Sequence, residues 1–313
     1  MNVVVTGGAG FIGANLCRRL VADPNIDRVI AFDDLSSGFR SNLDGLDVDL
    51  VEGTFVDLDT ITDVVKGAQC VVHLGARPSV PRSVIDPLAS HHANATGTIH
   101  VLEAARAAGD CQVIVASSSS VYGSNPSLPK HEDLATRPLS PYAANKLVTE
   151  GYALAYGSSY GMSTLAFRFF NVFGPLQAAG HAYAAVIPAF VSAALTGEPV
   201  TIHGDGTQTR DFTYVDTVTD VIAHAVTNNI SSSEPINLAY GSRTSLLEVL
   251  DLLETLLGHP IERIHTENRV GDVPHSQASN ERLLKLFSEV APTSLEQGLS
   301  ATIDWFKSNP VQK

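Results

Sequence analysis

The chain opens Asn2-Val-Val-Val-Thr-Gly-Gly-Ala-Gly-Phe-Ile-Gly13 and runs on as Ala14-Asn-Leu-Cys-Arg-Arg-Leu-Val21. The β-branched run at residues 3–5 reads as a short buried strand, the glycines as a tight turn, and 14–21 as a helix. Strand, glycine turn and helix in that order are the setting of a dinucleotide fingerprint. The glycines let a pyrophosphate approach the backbone, and the helix start offers it free N–H groups and a positive dipole end. Gly7, Gly10, Phe11, Ile12 and Gly13 are therefore candidate cofactor contacts. A second strand, Val29 to Phe32, ends in Asp33 and Asp34. Asp33 lies twenty residues past Gly13, where a carboxylate accepts hydrogen bonds from the adenosine ribose and repels a 2′-phosphate, which favours NAD over NADP.

The alternation continues. Val48 to Glu52 reads as a third strand and Cys70 to Leu74 as a fourth, closed by Gly75-Ala76, small enough for close cofactor approach. Thr54 follows the third strand. His73 reads as a packed histidine rather than a ligand. Pro87 to Ala108 reads as one long helix, in which Asn94 could reach the cofactor or the backbone. Val113 to Ala116 is the fifth strand. Repeated strand–helix units predict an α/β fold, a doubly wound parallel sheet of the Rossmann type with a smaller carboxyl-terminal α/β lobe. The boundaries expected are 1–170 for the dinucleotide-binding domain, with 213–240 returning to it, and 171–313 for the substrate lobe. Ligands of such sheets bind beyond the carboxyl strand ends, where the glycine turn, Asp33, Gly75 and the run Ser117 to Ser120 would converge.

After that serine run, Ser140-Pro141 marks a helix start. Tyr142 and Lys146 then share one helix face. An ammonium near a phenol favours the phenolate, and a strand-end serine can hydrogen-bond the same oxygen as the substrate; the outcome is a general base near neutral pH. An isolated Tyr-x-x-x-Lys pair is an ordinary feature of helix surfaces. The serine run and the amino-terminal turn set this one apart.

The 313 residues carry a net charge of −13, which argues against nucleic acid or an anionic membrane as main partner. Cys17, Cys70 and Cys111 are scattered and read as buried thiols, neither a disulfide frame nor a metal site. No apolar run reaches membrane-spanning length, and Met1 leads directly into a strand, so neither a membrane anchor nor a signal peptide is expected and the expected location is cytoplasmic.

Several stretches carry a resemblance to a known family. They are Thr6 to Gly13, HLGA at His73 to Ala76, SSSSVYG at Ser117 to Gly123, SPYAANK at Ser140 to Lys146 and RFFNVFGP at Arg168 to Pro175. The chain resembles, over nearly all its length, an extended short-chain dehydrogenase/reductase of the nucleotide-sugar type. By resemblance Tyr142 is the acid/base, Lys146 holds the nicotinamide ribose and tunes Tyr142, and Ser118 is the catalytic hydroxyl. The resemblance extends the cofactor set to Asp34, Ser36, Ser37, Gly38, Thr54, Phe55, Leu74, Gly75, Ala76, Asn94, Ser117 and Phe170.

Reaction type turns on Ser119-Ser120. Sugar-nucleotide 4,6-dehydratases carry Asp-Glu there, to supply the acid and base for removing water; two serines cannot. What remains is oxidation and re-reduction at C4, a 4-epimerase that regenerates its NAD. For the substrate, Arg210 and Arg269 suit a diphosphate, being always charged and forked. By resemblance Asp272 meets the uridine ribose, Asn171 and the Val186 backbone touch the nucleotide, and Thr201 to His203 border the uracil. The loop at Ser79 to Ser83 with Arg82, the stretch His181 to Pro188 and the stretch Gly271 to Ser276 are similar to UDP-N-acetylhexosamine 4-epimerases, with Ser276 a small gate beside the sugar. Pro78 fits that subgroup. Thr54, where the family usually has aspartate, and Ser279 depart from the pattern. The expected activity is interconversion of UDP-GlcNAc with UDP-GalNAc, of UDP-Glc with UDP-Gal, or both, in a homodimer. The alternatives are a UDP-glucuronate 4-epimerase, with Arg82 as the nearby cation, another NAD-dependent enzyme of the same superfamily, or a catalytically idle NAD-binding regulator.

Overall fold

A computed structural model describes residues 1–179, 185–267 and 274–309. Its central sheet holds β1 (Asn2–Thr6), β2 (Arg28–Asp33), β3 (Asp49–Glu52), β4 (Cys70–His73), β5 (Gln112–Ser118), β6 (Thr164–Phe169) and a last strand at Ile236–Leu238. The order is β3-β2-β1-β4-β5-β6 and then Ile236–Leu238, every pairing parallel. The chain starts mid-sheet, winds out to β3, then crosses back past β1 and winds the other way. That reversal between β1 and β4 leaves a crevice above their carboxyl ends. The register levels those ends: Thr6 pairs with both Phe32 and His73.

Both faces of the sheet are covered, which is why its strands read as unbroken apolar runs. Val3 and Val5 face a cluster with Leu16 of the Phe11–Val21 helix and Val218, Val221 and Ile222 of the Val215–Thr227 helix. Val4, Val71 and Val113 face the other way, toward Val101 and Leu102 of the Gly97–Ala108 helix and Ala153 of the Pro141–Tyr160 helix. A second core, with Phe173, Phe190, Val200, Leu250, Leu299 and Phe306, belongs to the carboxyl-terminal lobe. That lobe is built on three two-stranded pairs: Asn171–Phe173 with Phe212–Tyr214, Val200–His203 with Arg263–Thr266, and Thr209–Arg210 with Thr244–Ser245.

The expected helix over 87–108 is present and helical throughout, with a π-helical turn inside it and a separate short helix ahead of it. Val80–Ile85 already forms a short helix, Pro87–His91 a second, His92–Thr96 a π-helical turn, and Gly97–Ala108 the long remainder. Asp86 caps the second piece by accepting the Ala89 N–H at 3.0 Å, with Pro87 in its first turn. Among the described residues no helix is long and apolar enough to cross a membrane.

Candidate active site

The glycine turn is forced by its backbone. Gly7 takes φ +69°, a left-handed conformation, and donates its N–H to Phe32 O at 2.8 Å. A Cβ on Gly13 would lie 2.0 Å from Gly7 O, so the helix start is pressed onto the turn as only glycine allows. Asp33 closes the far side. Its carboxylate accepts the Ala9 N–H at 3.0 Å and the Leu35 N–H at 2.9 Å. Burial pushes its pKa up, and those two bonds act against the rise. A cavity of about 880 Å³ begins at Gly7 and Asp33 and ends at Ser118, Tyr142, Lys146 and Phe170. Pockets of this size take a cofactor and part of a substrate.

At its inner end, Ser140 caps the Pro141–Tyr160 helix by accepting the Ala143 N–H at 3.1 Å. Ser118 Oγ accepts both the N–H and the hydroxyl of Ser120, at 3.2 and 2.9 Å. Its own hydrogen is thereby left for the Tyr142 phenol, whose pKa it draws down. Lys146 is buried, donates Nζ to Ala116 O at 2.8 Å and lies 6.0 Å from the Tyr142 ring centre. One expectation is corrected here. The Tyr142 pKa is raised by burial, and only the Ser118 bond pulls it down. The Lys146 ammonium binds the β5 backbone and is itself pushed down by burial to about 8. Low dielectric disfavours phenolate and ammonium alike, and desolvation outweighs their attraction.

A buried ion pair braces this end. Arg168 grips Glu150 with two bonds, Nε to Oε2 at 2.9 Å and Nη2 to Oε1 at 2.6 Å. Glu150 also accepts the Ser117 hydroxyl at 2.8 Å, tying the end of β5 to the helix that carries Tyr142. His73 is a packed histidine as expected. Thr98 gives its hydroxyl hydrogen to Asn94 O at 2.6 Å and sits 3.3 Å from His73 Nε2; Thr6 lies 2.7 Å from Nδ1. Burial, with Lys146 nearby, lowers its pKa to about 3.

Of the residues assigned to the cofactor, all but Gly38 and Asn94 line the large cavity, Thr54 included. Gly38 instead packs on the glycine turn, its Cβ position 2.8 Å from Ala9 C. Asn94 holds the backbone of Arg77, accepting its N–H at 2.7 Å and donating to its carbonyl at 3.1 Å. Arg82 lines the cavity, whereas Ser79, Ser119, Ser120 and Ser276 line neither it nor its smaller neighbour. Ser79 caps the Val80–Ile85 helix and Ser276 donates its N–H to Thr209 O at 3.0 Å. The smaller cavity, about 250 Å³, gathers Asn171, Val186, Thr201, His203 and Arg210 in the carboxyl-terminal lobe. Arg269 and Asp272, and most of the loop from His181, lie outside the described residues.

Several lining residues were not singled out from the sequence, three polar ones among them. Arg77 and Gln177 line the large cavity and Gln208 the small one. Gln177 Oε1 is enclosed without a protein partner, while its Nε2 donates to Val172 O at 3.2 Å. Each follows a strand or a glycine loop closely, the one signal that marked it.

This arrangement defines a class: a doubly wound α/β enzyme with a dinucleotide cradle at one end of its crevice and a Ser–Tyr–Lys set at the other. Comparison with known proteins narrows it. Residues 3–239 match the NAD dependent epimerase/dehydratase family. A UDP-glucose 4-epimerase of Mycolicibacterium smegmatis is 35% identical over 98% of this chain and 99% of its own length. The solved UDP-N-acetylglucosamine 4-epimerase of Methanobrevibacter ruminantium, in complex with UDP-N-acetylmuramic acid, superposes with a TM-score of 0.92 at 36% identity, covering 98% of each chain. A UDP-glucuronic acid 4-epimerase of Bacillus cereus, solved with UDP-glucuronic acid and NAD, gives 0.89 at 30% identity over 98% of this chain and 99% of that one. The chain belongs to the NAD dependent epimerase/dehydratase family. It is an enzyme, and its cofactor is NAD. The left-handed Gly7, the contact at Gly13 and the buried Asp33 fit that dinucleotide.

Proposed function

We propose that this enzyme is a UDP-sugar 4-epimerase. It interconverts UDP-GlcNAc with UDP-GalNAc, UDP-Glc with UDP-Gal, or both, through a 4-keto sugar and with NAD retained between turnovers. The observation that carries the reading is the meeting of Ser118, Tyr142 and Lys146 in the cavity that the glycine turn opens, with no carboxylate at Ser119 or Ser120 to drive loss of water.

Bound NAD supplies a reversible two-electron acceptor for C4. The chain does the rest. Tyr142, as the phenolate, takes the proton from the 4-hydroxyl and returns it after the keto sugar has turned; the positive charge of the oxidised cofactor, when bound, would offset the burial that raises its pKa. Ser118, its hydrogen steered by Ser120, bonds the same oxygen and keeps it in reach. Lys146 holds positive charge beside the phenol and the nicotinamide ribose. Arg210 and Asn171 would hold the nucleotide in the smaller cavity, with Arg269 and Asp272 joining from the 268–273 segment. The oligomer proposed is a homodimer, consistent with the exposure of Val84, Ile85 and Leu88 on one surface segment.

A second reading is a UDP-glucuronate 4-epimerase. Two arginines favour it: Arg77, whose guanidinium pairs with Asp86 at 3.4 Å, lines the large cavity together with Arg82. Incubating the purified protein with each UDP-sugar and resolving the products separates the readings. Turnover of neutral sugars supports the first, and turnover of UDP-glucuronate alone supports the second. Unchanged sugars throughout refute both.

A further inference from the structure

Between β4 and the Gly97–Ala108 helix the chain forms an arm, the two short helices Val80–Ile85 and Pro87–His91. The arm is held to the Pro141–Tyr160 helix by two serines, each 1% exposed. Ser90 Oγ accepts from Asn145 Nδ2 at 3.2 Å and from Asn94 Nδ2 at 3.4 Å. Ser83 Oγ accepts the backbone N–H of Tyr142 at 3.0 Å and donates to Val80 O at 2.7 Å.

The second contact falls on a weak point. Tyr142 stands in the first turn of its helix, where backbone N–H groups have no carbonyl within the helix to accept them. Ser140 satisfies the N–H of Ala143. The N–H of Tyr142 goes to Ser83, fifty-nine positions away in the chain. Arg82, next to Ser83, faces the cavity that holds the phenol. The arm begins at Ser79, whose φ of +96° is a strained conformation for serine and is kept only where the surroundings dictate it.

We propose that Ser83 is a positioning residue for Tyr142. Through this one bond it fixes the backbone from which the phenol projects, and so makes the placement of the arm a condition of turnover. The proposal rests on the 4-epimerase reading above. Ser83 acts on Tyr142 and not on the bound molecules, so its loss lowers the rate of the chemical step and leaves binding alone.

The test is Ser83→Ala, with Ser83→Thr and Ser83→Val as a pair of equal shape, one keeping the hydroxyl and the other lacking it. Each is purified as the NAD-bound enzyme and assayed for kcat, for KM with the UDP-sugar the parent turns over, for NAD content and for UDP affinity. An unsatisfied helix-start donor that disturbs Tyr142 lowers kcat about tenfold in Ser83→Ala and Ser83→Val. KM, NAD content and UDP affinity stay at parent values, and Ser83→Thr keeps most of the parent kcat. The inference is overturned if Ser83→Val matches Ser83→Thr in kcat, or if KM, NAD content and kcat decline together as in general loosening of the fold. If Ser83→Ala does not fold, the Thr and Val pair decides alone. Failure of the epimerase reading is distinct: it appears as an inactive parent enzyme.

Discussion

His73 offers a test that can be worked through in numbers. Its ring is buried between Thr6 and Thr98, with Lys146 close enough to oppose a second positive charge. Its pKa falls from 6.5 to about 3 on folding. Between those values the unfolded chain binds the proton and the folded chain does not, so stability is lost as pH falls through 6.5 and the loss continues toward 3. From neutrality to about pH 4.5 the cost is about 2.5 kcal/mol, at roughly 1.4 kcal/mol per pH unit once the unfolded histidine is charged. Asp33 and Asp211, whose pKa values burial raises, contribute with the opposite sign. Other groups contribute too, so the measurement must be a difference. His73→Asn keeps an acceptor for the Thr6 hydroxyl and removes the titrating ring. Urea unfolding of parent and variant, with NAD at one fixed concentration, gives two stability curves against pH. The variant starts less stable at neutral pH because the Thr98 contact is lost. The gap should then close by about 2.5 kcal/mol on acidification. Parallel curves would show that His73 does not carry this proton penalty.

Three further outcomes are expected. Gly13→Ala places a methyl 2.0 Å from Gly7 O, and should abolish copurifying NAD, read from the absorbance of the released dinucleotide, while the sheet still forms by circular dichroism. Tyr142→Phe removes the proton acceptor and should lower kcat by about 10²–10⁴-fold with NAD content unchanged; a variant with near-parent turnover would displace Tyr142 from its role. Breaking the buried pair by Arg168→Ala strands Glu150 and should cost about 3–5 kcal/mol in urea unfolding, whereas Arg168→Met with Glu150→Leu should cost much less because no charge is left unpaired.

The glycine turn, the strand before it and Asp33 were legible because short-range chemistry marks them: φ +69° at Gly7 and the contact at Gly13 lie within one strand–turn–helix unit. The reactive helix was legible for the same reason, with Ser140 and Pro141 announcing it. The detail of the helical stretch after residue 79 was not. Its π-helical turn at His92–Thr96 leaves the helical pattern of the sequence nearly intact, and Asn94 is drawn to the Arg77 backbone by tertiary packing. Arg77, Gln177 and Gln208, and the bond of Ser83 to the Tyr142 backbone, escaped notice because cavity walls and distant backbone donors assign their tasks, and no spacing rule does. The sign of the Tyr142 shift was also beyond sequence reading. It depends on how deeply the phenol is enclosed and on Lys146 turning to Ala116, neither of which a Tyr-x-x-x-Lys spacing contains.

The most direct measurement follows a label at C4. UDP-GlcNAc and UDP-Glc carrying deuterium at C4 are incubated with the NAD-bound enzyme in ordinary water and the products resolved by NMR. The account predicts the C4 epimer of at least one sugar, formed without added NAD and with its deuterium still on C4, because the same hydrogen leaves and returns within a closed crevice. Loss of the label to water, or no epimer from either sugar, would contradict it.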